Sequence, residues 1–264
     1  MNAEKATIFK GQYFGQEPPG RESLIFAEGF VSTPANEHGC AFSPDGKEFY
    51  FTRIIDKRPT IMVTRQLDSG WTEPGVASFS GRYNDRLPSL SPDGRNLFFE
   101  SIRPWPDSTG DESHHAWCVT RTGEDWATPY PLMLSLKQRL AGLSVSSEGR
   151  LYTGGITVFS KIDNRFVDPR PAVPYLEGDY PFIASDESYL LYCVGPRRNL
   201  AVSYRMADGS WSQPVTFTHE NTFRIQGFPT VSPDGKYIFY TANHDIYWID
   251  AGILDELRPE NTKK

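Results

Sequence analysis

Nowhere in the 264 residues is there an apolar run near the roughly 18 needed to cross a bilayer, and residues 1–20 contain no apolar stretch of the secretory-signal kind. Positive charge is also short. With 27 basic against 33 acidic side chains, the chain carries a net charge of −6 and no basic footprint for nucleic-acid phosphates. Cysteine is scarce: Cys40, Cys118 and Cys193 form no C-x-x-C pair, which removes the usual zinc and redox motifs. Each lies in or beside an apolar strand-like run and is expected to be a buried free thiol. That favours a reducing compartment, so the chain as given reads as cytoplasmic; periplasmic or secreted is the expectation if a signal peptide has been removed. There is no shortage of core-forming residues. Hydrophobic residues make up 38% and aromatics 14%, enough for a packed domain.

What is present is a repeat. The chain reads CAFSPDGKEFYFTR from Cys40, PSLSPDGRNLFFES from Pro88 and PTVSPDGKYIFYTA from Pro229, with degenerate copies LSVSSEGRLYTGG from Leu143 and FIASDESYLLYCVG from Phe182. The serines that open the turns, Ser43, Ser91, Ser146, Ser185 and Ser232, are 48, 55, 39 and 47 residues apart. Those are blade-sized periods. In S-P-D-G the proline presets φ, the aspartate accepts backbone N–H bonds, and the glycine takes the left-handed conformation that closes a hairpin. The flanking aromatic and β-branched runs suit buried strands.

A second element recurs as GWTEP at Gly70, DWATP at Asp125, RFVDP at Arg165 and SWSQP at Ser210, placing an outer strand after its proline. None follows the fifth turn. LIFAEGFVS, from Leu24 to Ser32, resembles the missing piece. The pattern therefore predicts an all-β, five-bladed β-propeller with four-stranded blades, closed by the N-terminal strand so that no sheet edge is left open. It forms one domain over residues 1–264, with blades near 37–79, 85–134, 140–176, 179–218, and 226–250 plus 23–32. With strands lettered A to D from the axis outward, the S-P-D-G turns gather at one end and the segments entering strand A at the other.

The S-P-D-G turns followed by aromatic strands resemble the WD40-like propeller repeat of the TolB family, over roughly Phe14 to Asp250. GQYFGQEPPG, FSPDGKEFYFTR and DIYWIDAGILDELRP are similar to a group of mostly uncharacterised bacterial members. The resemblance implies the fold and says little of the activity: TolB-type propellers bind proteins in the cell envelope, and related repeats occur in peptidases and in lyases acting on oligosaccharides. The chain departs from the peptidases in lacking a G-x-S-x-G elbow and a hydrolase domain. It also lacks the additional N-terminal domain of TolB itself.

The five histidines, His38, His114, His115, His219 and His244, all fall on the strand-A-entry side. Six residues before each turn serine come Glu37, Asp85, Leu140, Asp179 and Gln226, followed by His38, Arg86, Ala141, Tyr180 and Gly227. Histidine and carboxylate at a propeller mouth can hold a divalent metal or move protons; Glu37, His38, His114, His115 and His244 are the candidate ligands. Such residues can equally serve to satisfy backbone at the rim. Arg53, Arg86, Arg103, Arg139 and Arg224 lie near the axis, where a guanidinium fork can hold an anion or pair with Glu37, Asp85 and Asp179. Trp105, between two prolines in the longest loop, is placed either as a sugar-stacking platform or lid, or as a cap on blade two. Asp111 and Glu112 lack the glycine and ligand spacing of an EF-hand.

The expectation is a ligand- or partner-binding propeller. Its polar funnel, at the strand-A-entry end, gathers Glu37, His38, Arg53, Asp85, Arg86, Arg103, Trp105, Arg139, Asp179, Tyr180, Arg224 and His244. An anionic small molecule, a glycan or a protein is the expected partner. A metal-assisted lyase or hydrolase using the same funnel is the alternative.

Overall fold

The computed structural model describes residues 9–105, 113–132, 134, 140–163, 165–173, 177–196, 198–217 and 225–262. The chain folds as five antiparallel sheets in a ring, each running from an innermost strand outward. The innermost strands are Glu37–Phe42, Asp85–Leu90, Leu143–Val145, Asp179–Ile183 and Ile225–Val231. Their partners are Glu48–Ile55, Asn96–Ser101, Leu151–Thr153, Tyr189–Val194 and Tyr237–Ala242. Among the described residues the only α-helix is Ile253–Glu256, and no helix is long and apolar enough to cross a membrane.

The intact turns fold as their chemistry dictates. In the first, Ser43 Oγ donates to Asp45 Oδ1 at 2.5 Å and accepts the Glu48 N–H, while the same aspartate oxygen accepts the Lys47 N–H. Ser91–Asp93 and Ser232–Asp234 repeat the arrangement. Gly46, Gly94 and Gly235 have φ of 71°, 68° and 74°, the left-handed region that a Cβ disfavours.

The N-terminal segment closes the ring. Leu24–Ile25 pairs with Tyr247–Trp248 of blade five, and Ser32 Oγ extends the contact to the backbone of Ile246. The regular pairing is shorter than Leu24–Ser32, because Ala27 takes φ of 45° and turns the chain back on itself. Packing, more than backbone bonds, holds this segment. Phe26 and Phe14 are buried among Phe42, Phe49, Phe239, Trp248 and Trp71. Burying one such ring is worth roughly 2 to 3 kcal/mol.

Blades one, two, four and five have a register shift at the entry to the innermost strand. At that point Gly39, Leu87, Tyr180 and Phe228 take positive φ, as does Gly142 of blade three. In blade four the turn begins at Ala184, one residue before Ser185, because the Glu187 N–H donates to the Ala184 carbonyl as Gly46 does to Ser43; Tyr180 thus stands four residues before its turn, as in the other blades. The bulge residue of one blade packs against a glycine of the preceding blade. A Cβ on Gly39 would lie 2.6 Å from Leu87 Cδ2, and one on Gly142 only 2.9 Å from Tyr180 Cα.

Candidate functional site: the axial cavity

The freed N–H groups of these bulges are accepted by side chains from the second strand of the preceding blade. Thr241 Oγ1 accepts from Gly39, Thr52 Oγ1 from Leu87 and Glu100 Oε1 from Gly142, at 3.1, 3.0 and 2.7 Å. This ladder of bonds between blades, with Leu87, Tyr180 and Phe228 packed inside it, closes the axis at the strand-A-entry end. The Tyr180 and Phe228 rings meet edge to face at 4.3 Å.

The predicted funnel residues divide on this frame. Glu37 is wholly buried: Thr33 Oγ1 and Arg53 Nε donate to one oxygen and the Thr33 N–H to the other. The remaining fork of Arg53 donates to the carbonyls of Phe30 and Val31. Asp85 is equally buried and accepts from Ser80, Ser101 and Arg103. Arg103 also donates to the Phe79 carbonyl and lies over Phe99, Tyr83 and Trp117. Arg86 pairs with buried Glu100 at 2.8 Å. These carboxylates and guanidiniums are therefore committed to one another, as their neighbouring positions allow.

Asp179 is exposed, and Arg198 lies 5.1 Å over the Tyr180 ring. His38 sits 5.5 Å from Phe228. Its pKa is pushed down to about 4, first by burial and then by the charges of Arg86 and His244. His244 Nδ1 is 2.9 Å from Asn36 Nδ2. Trp105 stacks on His115 at 4.5 Å and meets Trp117 edge-on, so it caps blade two. His115 thus belongs to the edge of blade two while His38 and His244 lie near the axis. Among the described residues no three His, Cys, Asp or Glu side chains gather as a group able to hold a metal, so the candidate ligands Glu37, His38, His114, His115 and His244 do not assemble. Arg139, Arg224, His219, Asp111 and Glu112 lie outside the described residues.

The concavity lies on the other side of the plug. A cavity of about 520 Å³ runs along the axis from Gly39, Leu87, Gly142, Tyr180 and Phe228 to the hairpin turns, walled by all five innermost strands. Of the predicted funnel residues that are described, only Tyr180 lines it. Ser89, Leu90, Thr230 and Val231 belong to innermost strands yet stay partly exposed, and all four line this space. Each innermost strand pairs only outward, so alternate backbone N–H and C=O groups face inward without a ladder partner.

The turns make the mouth uneven. Blades one, two and five place Pro44, Pro92 and Pro233 on it, whereas the degenerate turns of blades three and four place Ser147 and Ser185 at the proline position, with Asp186 and Ser188 beside them. Glu187, which stands where the intact turns have their glycine, takes φ of 59° and pairs with Arg150 and Arg205. Sequence reasoning missed this side. The signal was the departure of SSEG and ASDE from SPDG, which reads as erosion of a repeat until the turns are placed around one opening.

The class defined by these sheets is a five-bladed β-propeller. Among solved structures the chain is similar to TolB from Acinetobacter baumannii, with a TM-score of 0.55 and 13% identity over 89% of this chain, and it spans 57% of that protein's length. It is also similar to a gluconolactonase from Xanthomonas campestris, with a TM-score of 0.51 and 14% identity over 89% of this chain and 95% of the other. No family model and no curated protein sequence matches. At such identities the likeness carries the fold and selects no activity.

Proposed function

We propose that the chain is a binding propeller that takes a small ligand, or a short protruding segment of a partner, into the axial cavity from the turn end. The observation that supports this is the cavity of about 520 Å³ bounded by all five blades, a size within the range of small-molecule sites. Leu87, Tyr180 and Phe228 line its inner end, and the reading brings the ligand in past the turns. Inward-facing backbone groups supply donors and acceptors without a dedicated catalytic set, and the cavity wall carries no Lys, Arg or His among the described residues. The metal-assisted alternative at the entry end has no assembled ligand group among the described residues to rest on.

The test is ligand-observed NMR with a fragment library against the native chain, Thr230→Phe, which fills the cavity, and Asp179→Asn with Arg198→Gln at the opposite end. Fragments that bind the native chain and the entry-end variant but not Thr230→Phe are expected. Binding lost in the entry-end variant and kept in Thr230→Phe would return the site to the entry funnel and overturn the proposal.

A further inference from the structure

Blades three and four line the mouth differently from blades one, two and five, and the difference is chemical. An intact turn spends its serine and aspartate on itself and offers a proline ring to the opening. In blade four the Asp186 carboxylate is exposed at the mouth. It accepts one bond, from the Ser188 N–H at 2.9 Å, through Oδ1. Just inside, the partly exposed rings of Phe182 and Tyr189 stand 6.5 Å apart at 34°, both on the cavity wall. One wall thus offers a hydrogen-bond acceptor, serine hydroxyls and an aromatic face side by side.

Resting on the axial-cavity reading, we infer that this degenerate side is where the ligand is recognised, and that the ligand is an uncharged polyhydroxyl compound of the saccharide class. Its ring stacks against Phe182 and Tyr189, and a hydroxyl pair donates to Asp186. Charge decides against the anionic partner that the entry-end arginines suggest: among the described residues Asp186 is the sole charged one on the wall, and no cation among them offsets the cost of desolvating a phosphate or carboxylate. A cationic ligand gains one carboxylate at the mouth and then meets a wall of serines, small apolar groups and aromatic rings. A sugar presents many hydroxyls and an apolar face, and matches the serines, the inward backbone groups and the rings together.

Calorimetry and saturation-transfer NMR with maltose and cellobiose as neutral probes, glucuronate and glucose 6-phosphate as anionic ones, and glucosamine as the cationic one test this on the whole chain. At least one neutral disaccharide is expected to bind, with the anions at least tenfold weaker. Asp186→Asn should weaken that sugar at least tenfold without moving the melting temperature. Ala184→Ser combined with Ser185→Pro, which gives Asp186 the serine partner and the proline neighbour of the intact turns, should abolish binding. Tighter binding of an anion or of glucosamine, a sugar indifferent to Asp186→Asn, or no binding of either disaccharide would overturn the inference. Thr230→Phe separates the two levels: a charged probe that this variant displaces leaves the cavity reading standing and overturns only the ligand class. A bound sugar that it fails to displace overturns both.

Discussion

The two ends of the axis are built from the same repeats and behave in opposite ways. At the strand-A-entry end every repeat supplies polar or bulky residues, and the fold spends them on itself: Glu37 on Arg53, Asp85 on Arg103, Glu100 on Arg86, and Leu87, Tyr180 and Phe228 on a plug. At the turn end the repeats are small and self-satisfied, and an opening remains. Charge density in a sequence marks where a propeller is pinned together as readily as where it binds. Burying a charge is costly, so a fold with arginines next to carboxylates in register pairs them.

The comparison breaks most severely if the ring itself is opened. Deleting residues 1–32 removes Phe14, Phe26 and Phe30 from the core and exposes the edge of blade five, and is expected to abolish cooperative unfolding. A thermal melt unchanged by the deletion would contradict the closure. Next comes Glu100, a buried carboxylate at a position where blades one and five carry Thr52 and Thr241. Glu100→Leu leaves both Arg86 and the Gly142 N–H without their acceptor and should cost about 3 kcal/mol in denaturant unfolding. Glu100→Thr with Arg86→Leu imitates blade one at this position and should cost clearly less than Glu100→Leu. Equal losses would mean that the ion pair is incidental to the entry-end ladder.

The architecture was legible because its signals are local. S-P-D-G is a turn whose geometry its own side chains enforce, and five copies at blade spacing leave little choice of fold; even the closing strand could be read from a missing fifth outer element. The site was legible only in parts. Arg53 and Arg103 were placed near their carboxylates, but pairing was one of two open readings, since register bulges decide which way a side chain points. Leu87 and Phe228 at positive φ carry no sequence mark, because apolar residues in that conformation are held there by their surroundings. The mouth was missed because Ser185 and Ser147, in place of proline, look like decay of the motif.

The turn glycines sharpen the comparison at the open end. A side chain on Gly46 meets nothing within 4 Å, so Gly46→Val should cost only the backbone strain, about 1 kcal/mol. On Gly94 the added Cβ lies 3.1 Å from Pro44 Cδ, and the same substitution there should cost more, because the neighbouring turn has to shift. Paired chemical denaturation curves measure the difference. If Gly46→Val proves the more harmful, the turns do not stand as independently as the open mouth implies.

The smallest effect expected is a pH dependence at the closed end. His38 has a folded-state pKa near 4 against about 6.5 in the unfolded chain, because burial and the charges of Arg86 and His244 all oppose a proton there. The native state therefore binds fewer protons than the unfolded one between those values. Stability contributed by neutral His38 is full above about pH 6.5, falls as pH drops through the window, and levels off below about 4. At about 1.4 kcal/mol per pH unit well inside the window, the loss between pH 7 and pH 6 is a little under 1 kcal/mol. His38→Phe keeps a ring against Phe228 and removes the titrating group, so its stability should lose this share of the acid sensitivity while the carboxylate contributions remain. Denaturant midpoints taken at half-unit steps from pH 4.5 to pH 7.5 resolve the two curves. If native and His38→Phe curves run parallel throughout, His38 is hydrated in solution and the entry end is less tightly closed than Leu87, Tyr180 and Phe228 make it.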